Sequence, residues 1–109
     1  MCVFAKNERN IRVCNLVNDS ISVDIRAYGD CENHAGPVKH GLKNCIEWSI
    51  GGCDANVKVW FTSDQYATFG TWGKGDYVFT AYKDDHGYVG NVNKSGDSVT
   101  RVVRATIEK

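Results

Sequence analysis

The sequence predicts an all-β chain: an antiparallel β-sandwich of seven to eight short strands, with a barrel as the alternative. Three observations carry that reading. First, 13 Val and 6 Ile stand against 2 Leu and 1 Met; β-branched side chains suit a pleated, half-buried surface, whereas Leu and Met suit helices. Second, 9 Asn, 9 Asp and 11 Gly supply residues that tolerate positive φ, which a chain of many short strands needs at each reversal. Third, apolar and polar residues alternate with the period of a strand. At 109 residues the chain reads as a single domain, residues 1–109, large enough to bury a core unaided.

Taken in order, Cys2-Val3-Phe4 suits a short edge strand. Ile11, Val13 and Val17 share a face, and beyond Asn18-Asp19-Ser20 the alternation resumes with Ile21, Val23, Ile25 and Ala27, which reads as a hairpin. Residues 29–42 carry no periodic run and contain Gly36-Pro37, predicting the longest loop. Strand signals return at Ile46, Trp48 and Ile50 and, past Gly51-Gly52-Cys53-Asp54, at Val57, Val59 and Phe61. A second, aromatic-rich loop is expected at about 63–76. Residues 77–83 and 88–92 then form a hairpin across Asp84-Asp85-His86-Gly87, with Gly87 at a positive-φ position. Residues 99–107 close the chain as one long strand.

Thirteen Lys and Arg balance thirteen Asp and Glu, so no field steers the chain toward nucleic acid or an anionic membrane. No apolar run approaches the roughly 18 residues that a membrane-spanning helix needs. Residues 1–20 lack the basic start and apolar core of a signal peptide. The chain is then either cytosolic or a mature form whose leader has been replaced by Met.

Five cysteines, Cys2, Cys14, Cys31, Cys45 and Cys53, leave at least one thiol over. Reduced, they would pack as small hydrophobes in a cytosolic protein. Oxidised, two bridges would tie the middle loops, with three pairings open to the last four and Cys2 the expected free thiol. The sequons Asn18-Asp19-Ser20 and Asn93-Lys94-Ser95 fall at expected hairpin turns. Together these favour secretion, with the cytoplasm as the alternative.

Nothing in the chain reads as catalytic, metal-binding or cofactor-binding. Cys31-x2-His34 and His40-x4-Cys45 mix ligand types in an order no zinc knuckle uses. Nucleophile, base and carboxylate combinations around His34 or His86 lack a nucleophile elbow. Asp84 and Asp85 are adjacent, so a strand would point them to opposite faces. Asp84-Asp85-His86-Gly87 lacks the spaced carboxylates of a calcium loop, and Gly73-Lys74-Gly75 lacks the Ser or Thr of a phosphate loop.

Aromatic placement stands above background. Seven of the twelve aromatics, Tyr66, Phe69, Trp72, Tyr77, Phe79, Tyr82 and Tyr88, fall in residues 66–88. Phe79 and Trp48 read as core. Trp72 sits between Thr71 and Gly73 in a glycine-punctuated loop that offers no partner strand to bury it. Trp60 shares an outer face with Lys58 and Thr62. Exposed rings beside Asp, Asn and Lys suit sugars, whose C–H faces stack while hydroxyls bond side chains; they equally suit a protein hot spot. The candidate ligand-binding residues are Trp72, Trp60, Tyr66, Asp76, Lys74, Tyr82 and His86. The expected function is a non-enzymatic, lectin-like module for carbohydrate or another cell-surface ligand, in defence or toxicity. The alternatives are a protein-interaction domain, such as a protease inhibitor or secreted effector using loops 29–42 and 63–76, and an intracellular structural domain.

The order of Ile11-Arg12-Val13-Cys14-Asn15, then Glu47-Trp48-Ser49-Ile50, then Val59-Trp60 resembles the first third of thaumatin-like proteins. That family's dense cysteine framework and greater length are absent, and no residue role is carried across.

Overall fold

The computed structural model describes residues 8–39 and 41–108; Cys2-Val3-Phe4 and His40 lie outside them. The described residues form ten strands and no helix: β1 (Arg9–Asn15), β2 (Ile21–Ala27), β3 (His34–Val38), β4 (Gly41–Gly51), β5 (Ala55–Trp60), β6 (Gln65–Gly70), β7 (Gly75–Asp84), β8 (Gly87–Lys94), β9 (Arg101–Arg104) and β10 (Thr106–Ile107). They build two five-stranded sheets. Sheet A runs β4-β1-β7-β8-β9 and sheet B runs β10-β6-β5-β2-β3. The fold is a β-sandwich, with no closed barrel.

Period-two alternation puts Ile11 and Val13 of β1, and Tyr77, Phe79 and Ala81 of β7, on the inner face of sheet A. Ile21, Val23, Ile25, Val57, Val59, Ala67 and Phe69 answer them from sheet B. Between the sheets runs a chain of rings: Tyr88 on Phe61 at 5.2 Å, Phe61 to Phe79 at 6.4 Å, Phe79 on Phe69 at 5.8 Å, Phe69 to Tyr77 at 6.3 Å and Tyr77 to Trp72 at 4.9 Å. These separations fall within the preferred range for aromatic pairs. The aromatic density of residues 66–88 is therefore largely a core property, because β6, β7 and the start of β8 all lie in that window. Trp48, on edge strand β4, is half-buried against the core and reaches across to Gly36 of β3, closing one side of the sandwich.

Several elements differ from the sequence reading. The segments around Val13 and Val23 are not a hairpin, because β1 belongs to sheet A and β2 to sheet B. Buried Asn15 turns the chain between them. Its Nδ2 donates to the carbonyls of Asp19 (2.8 Å) and Val38 (2.9 Å), and its Oδ1 accepts from the Val17 N–H (2.8 Å), so one amide satisfies three backbone groups in an otherwise apolar place. The expected loop at 29–42 contains β3, an edge strand where Pro37 costs no ladder bond. The expected loop at 63–76 contains β6. The long closing strand breaks at Ala105, leaving β9 on β8 and β10 on β6, so the C-terminal segment straps sheet A to sheet B. All pairings are antiparallel except one: β1 lies parallel to β7, Arg9 opposite Gly75 through Asn15 opposite Ala81. Two segments so far apart along the chain were beyond the reach of local pattern.

Candidate functional site

The seven candidate residues separate into three places. Trp60 and Tyr66 lie on the outer face of sheet B. Trp72, Lys74 and Asp76 lie in and beside the β6–β7 connection. Tyr82 and His86 lie toward the β7–β8 turn.

Trp72 does find partners. Its N–H donates to the Tyr77 hydroxyl (2.8 Å) and its indole Nε1 donates to Asp97 Oδ2 (2.9 Å). Tyr77 meets the indole edge-on, and the Arg101 guanidinium sits 3.8 Å from the ring centroid. Lys94 donates its ammonium to the Trp72 carbonyl. The flanking residues are tied down by Asp54, whose Oδ1 accepts from Thr71 Oγ1 (2.7 Å), Arg9 Nε (3.0 Å) and the Gly73 N–H (3.1 Å). The Thr71 hydroxyl, then Arg9 and Gly73, hold the Asp54 carboxyl below the usual carboxylate range, against the opposing effect of burial. Trp72 is thus half-buried against the core as a plug, because the loop is stitched by hydrogen bonds that no sequence period announces.

Trp60 stands differently. Alternation in β5 turns Val57 and Val59 inward and Lys58 and Trp60 outward. Register sets Trp60 opposite Ser22 of β2 on one side and Tyr66 of β6 on the other. One row across the sheet therefore reads Pro37, Ser22, Trp60, Tyr66, Thr106. The Trp60 and Tyr66 rings are 5.0 Å apart and tilted by 52°. Trp60 also borders a depression of about 410 Å³ lined by Ser20, Ser22, Pro37, Thr62 and Ser63. Aromatic faces next to serine and threonine hydroxyls combine an apolar platform with hydrogen-bonding groups. Sequence alternation had placed Trp60 with Lys58; Ser22 and Pro37 were missed, since only sheet register brings them alongside.

The remaining candidates join neither group of rings. Asp76 Oδ1 accepts from Asn10 Nδ2 (2.8 Å) on the outer face of sheet A, and Lys74 is exposed in the turn before β7. Tyr82 is half-buried and lines a cleft of about 520 Å³ with Leu16, Asp19, Asp85 and Tyr88. His86 is exposed, its N–H donating to Asp84 Oδ1 (2.8 Å). Asp84 is itself paired with Arg104 (2.7 Å), which together with the His86 N–H lowers its pKa to about 2.

Four cysteines are bridged, Cys14 to Cys45 across β1 and β4, and Cys31 to Cys53. Such bonds form and persist in oxidising environments. Cys2 lies outside the described residues. Among those residues, no group of three His, Cys, Asp or Glu could share a metal ion, and no helix is long and apolar enough to cross a membrane. Fold and face together define a class, a disulfide-bridged two-sheet β-sandwich with an aromatic pair on one outer face. Compared with known proteins, the chain matches no protein-family model and no curated sequence.

Proposed function

We propose that this chain is a secreted, non-enzymatic binding module that takes carbohydrate on the outer face of sheet B. The observation that carries the reading is the Trp60–Tyr66 pair, 5.0 Å apart on adjacent strands, set beside a mainly apolar depression to which Ser20, Ser22 and Ser63 contribute. A pyranose stacks its C–H face on such rings and spends its hydroxyls on Ser22 and Ser63, a division of labour that aromatic side chains with polar neighbours support. A strand-mounted pair also suits recognition because packing beneath it fixes the rings before any ligand arrives. The two disulfides favour an extracellular setting.

The test is a glycan array followed by titration of the hits. Wild-type protein binds with millimolar to micromolar affinity, and Trp60→Ala weakens binding by about ten-fold or more, the scale of losing a hot-spot aromatic, with an unchanged circular dichroism spectrum. A silent array with folded wild-type protein rejects the reading. Capture of a protein that survives excess free sugar moves the assignment to protein recognition.

A further inference from the structure

We infer that the sheet B face selects sugars bearing a negative charge, a pyranose with a carboxylate or sulfate substituent, and that Lys58 is the residue that selects them. The inference rests on the carbohydrate reading above and adds the chemistry of the ligand.

Lys58 Nζ lies 4.3 Å from the Trp60 ring centroid and 4.2 Å from that of Tyr66. With the rings tilted by 52°, one ammonium is seated against both. Ring quadrupoles attract a cationic side chain, so the seat restricts a chain that would otherwise sample many rotamers. A positive charge is thereby fixed over the two rings of the platform.

That charge is not neutralised from the flanking strands. Asp24 is the register partner of Lys58 on β2, yet its carboxylate faces Arg26, 3.4 Å away on its own strand. On β6 the partner is Thr68, which offers a hydroxyl and no charge. Among the described residues no ion pair joins Lys58 to a carboxylate. A neutral sugar stacked on Trp60 would strip water from this ammonium without replacing it, whereas an anionic substituent would pair with it. A polyanion tracked by its backbone is a poor match, because the chain has zero net charge and such binding neutralises many phosphates at once.

The experiment compares three matched glycans sharing one core: neutral, carboxylate-bearing (sialylated or uronic) and sulfated. Wild-type protein prefers at least one charged form by about two- to five-fold, the range of a solvent-accessible ion pair, and added salt narrows the preference. Whether the carboxylate arm, the sulfate arm or both respond identifies the substituent. Lys58→Gln binds neutral and charged forms equally; Lys58→Arg retains the preference. Equal wild-type binding of all three, with Trp60→Ala still abolishing it, overturns this inference and leaves the module reading standing. So does a preference that survives Lys58→Gln. Absence of binding to any glycan overturns both.

Discussion

Gly90 carries the sharpest stability test. It sits on β8 facing the core with an ordinary backbone conformation, so its role is space. A Cβ built there would fall 2.0, 2.3 and 2.9 Å from three ring carbons of Phe79, where carbon atoms normally rest at about 3.5–4.0 Å. The ring would have to retreat by roughly 1.5 Å, on the difference between those distances. Phe79 is fully buried, stacked on Phe69 and in contact with Phe61, so retreat displaces the whole ring chain. Overpacking of this kind costs about 1–3 kcal/mol, and three colliding atoms put Gly90→Ala at the upper end. Reduced freedom of the unfolded chain offsets about 0.4–1 kcal/mol. The net loss is about 2 kcal/mol, a fall in Tm of roughly 8–16 °C for a domain of this size. Thermal and urea unfolding of the oxidised protein, followed by circular dichroism, measure it. Phe79→Leu makes room, so the double variant should be more stable than the two single losses predict, by about 1 kcal/mol or more of coupling. A Gly90→Ala protein within about 0.5 kcal/mol of wild type, or strict additivity with Phe79→Leu, refutes the reasoning.

Other perturbations separate the remaining features. Asp54→Asn removes the charge that pairs with Arg9 Nε and weakens the acceptor shared by Thr71 and Gly73, and should cost about 1–3 kcal/mol at neutral pH. Because the Asp54 pKa is lowered in the fold, its contribution is present above the ordinary carboxylate value and lost as pH falls through the lowered one; urea midpoints should fall less steeply with acid in the variant, and an unchanged acid slope would count against the role. Asn15→Ala strands three backbone groups and should cost about 2–4 kcal/mol, with a urea midpoint unaffected by the change excluding that role. Peptide mapping without reductant should recover Cys14 joined to Cys45 and Cys31 joined to Cys53; replacing either bridge with serines should cost about 3.5 kcal/mol on the loop-entropy model for separations of 31 and 22 residues. Trp72→Phe, which loses the bond to Asp97, should lower Tm yet leave glycan affinity unchanged, the reverse of Trp60→Ala; if affinity follows Trp72 instead, the recognition face has been misplaced.

Strand identity was legible where β-branched or aromatic residues alternate with polar ones over a buried face. The alternations at Ile11–Val13, Val57–Val59 and Tyr77–Ala81 each became a strand with those residues inside, and the tight β7–β8 turn with Gly87 at φ 124° followed from its turn residues. β3 was hidden because an edge strand of His-Ala-Gly-Pro-Val buries only its last residue deeply. β6 was hidden because Tyr66 and Phe69 read as loop aromatics, though Ala67 and Phe69 are its inward pair. At the site, the outward direction of Trp60 followed from Lys58 beside it, a local relation. The partnership with Tyr66 and Ser22 is a matter of register between strands, which no local window contains. The partners of Trp72 were out of reach for the same reason: its burial comes from Tyr77, Asp97 and Arg101, the last two more than twenty positions away along the chain.

The parallel pairing of β1 with β7 also sets an order of events during synthesis. Asn10 and Asp76 touch across that pair although 66 positions separate them, an interval of roughly 3–13 s at ordinary translation rates. β1 has no sheet neighbour until β4 has been made, and from then until β7 appears it is paired on one side only and presents an open edge on the other. Open edges recruit strands from other chains, and pairings between distant segments form slowly. The Cys14–Cys45 bond bears on this interval, since it joins directly opposed residues of β1 and β4. Once closed, it prevents the waiting strand from slipping by a residue and turning Ile11 and Val13 outward. β1 is made well before its second neighbour, and its covalent tie to β4 gives the nascent chain a fixed template on which β7 can dock.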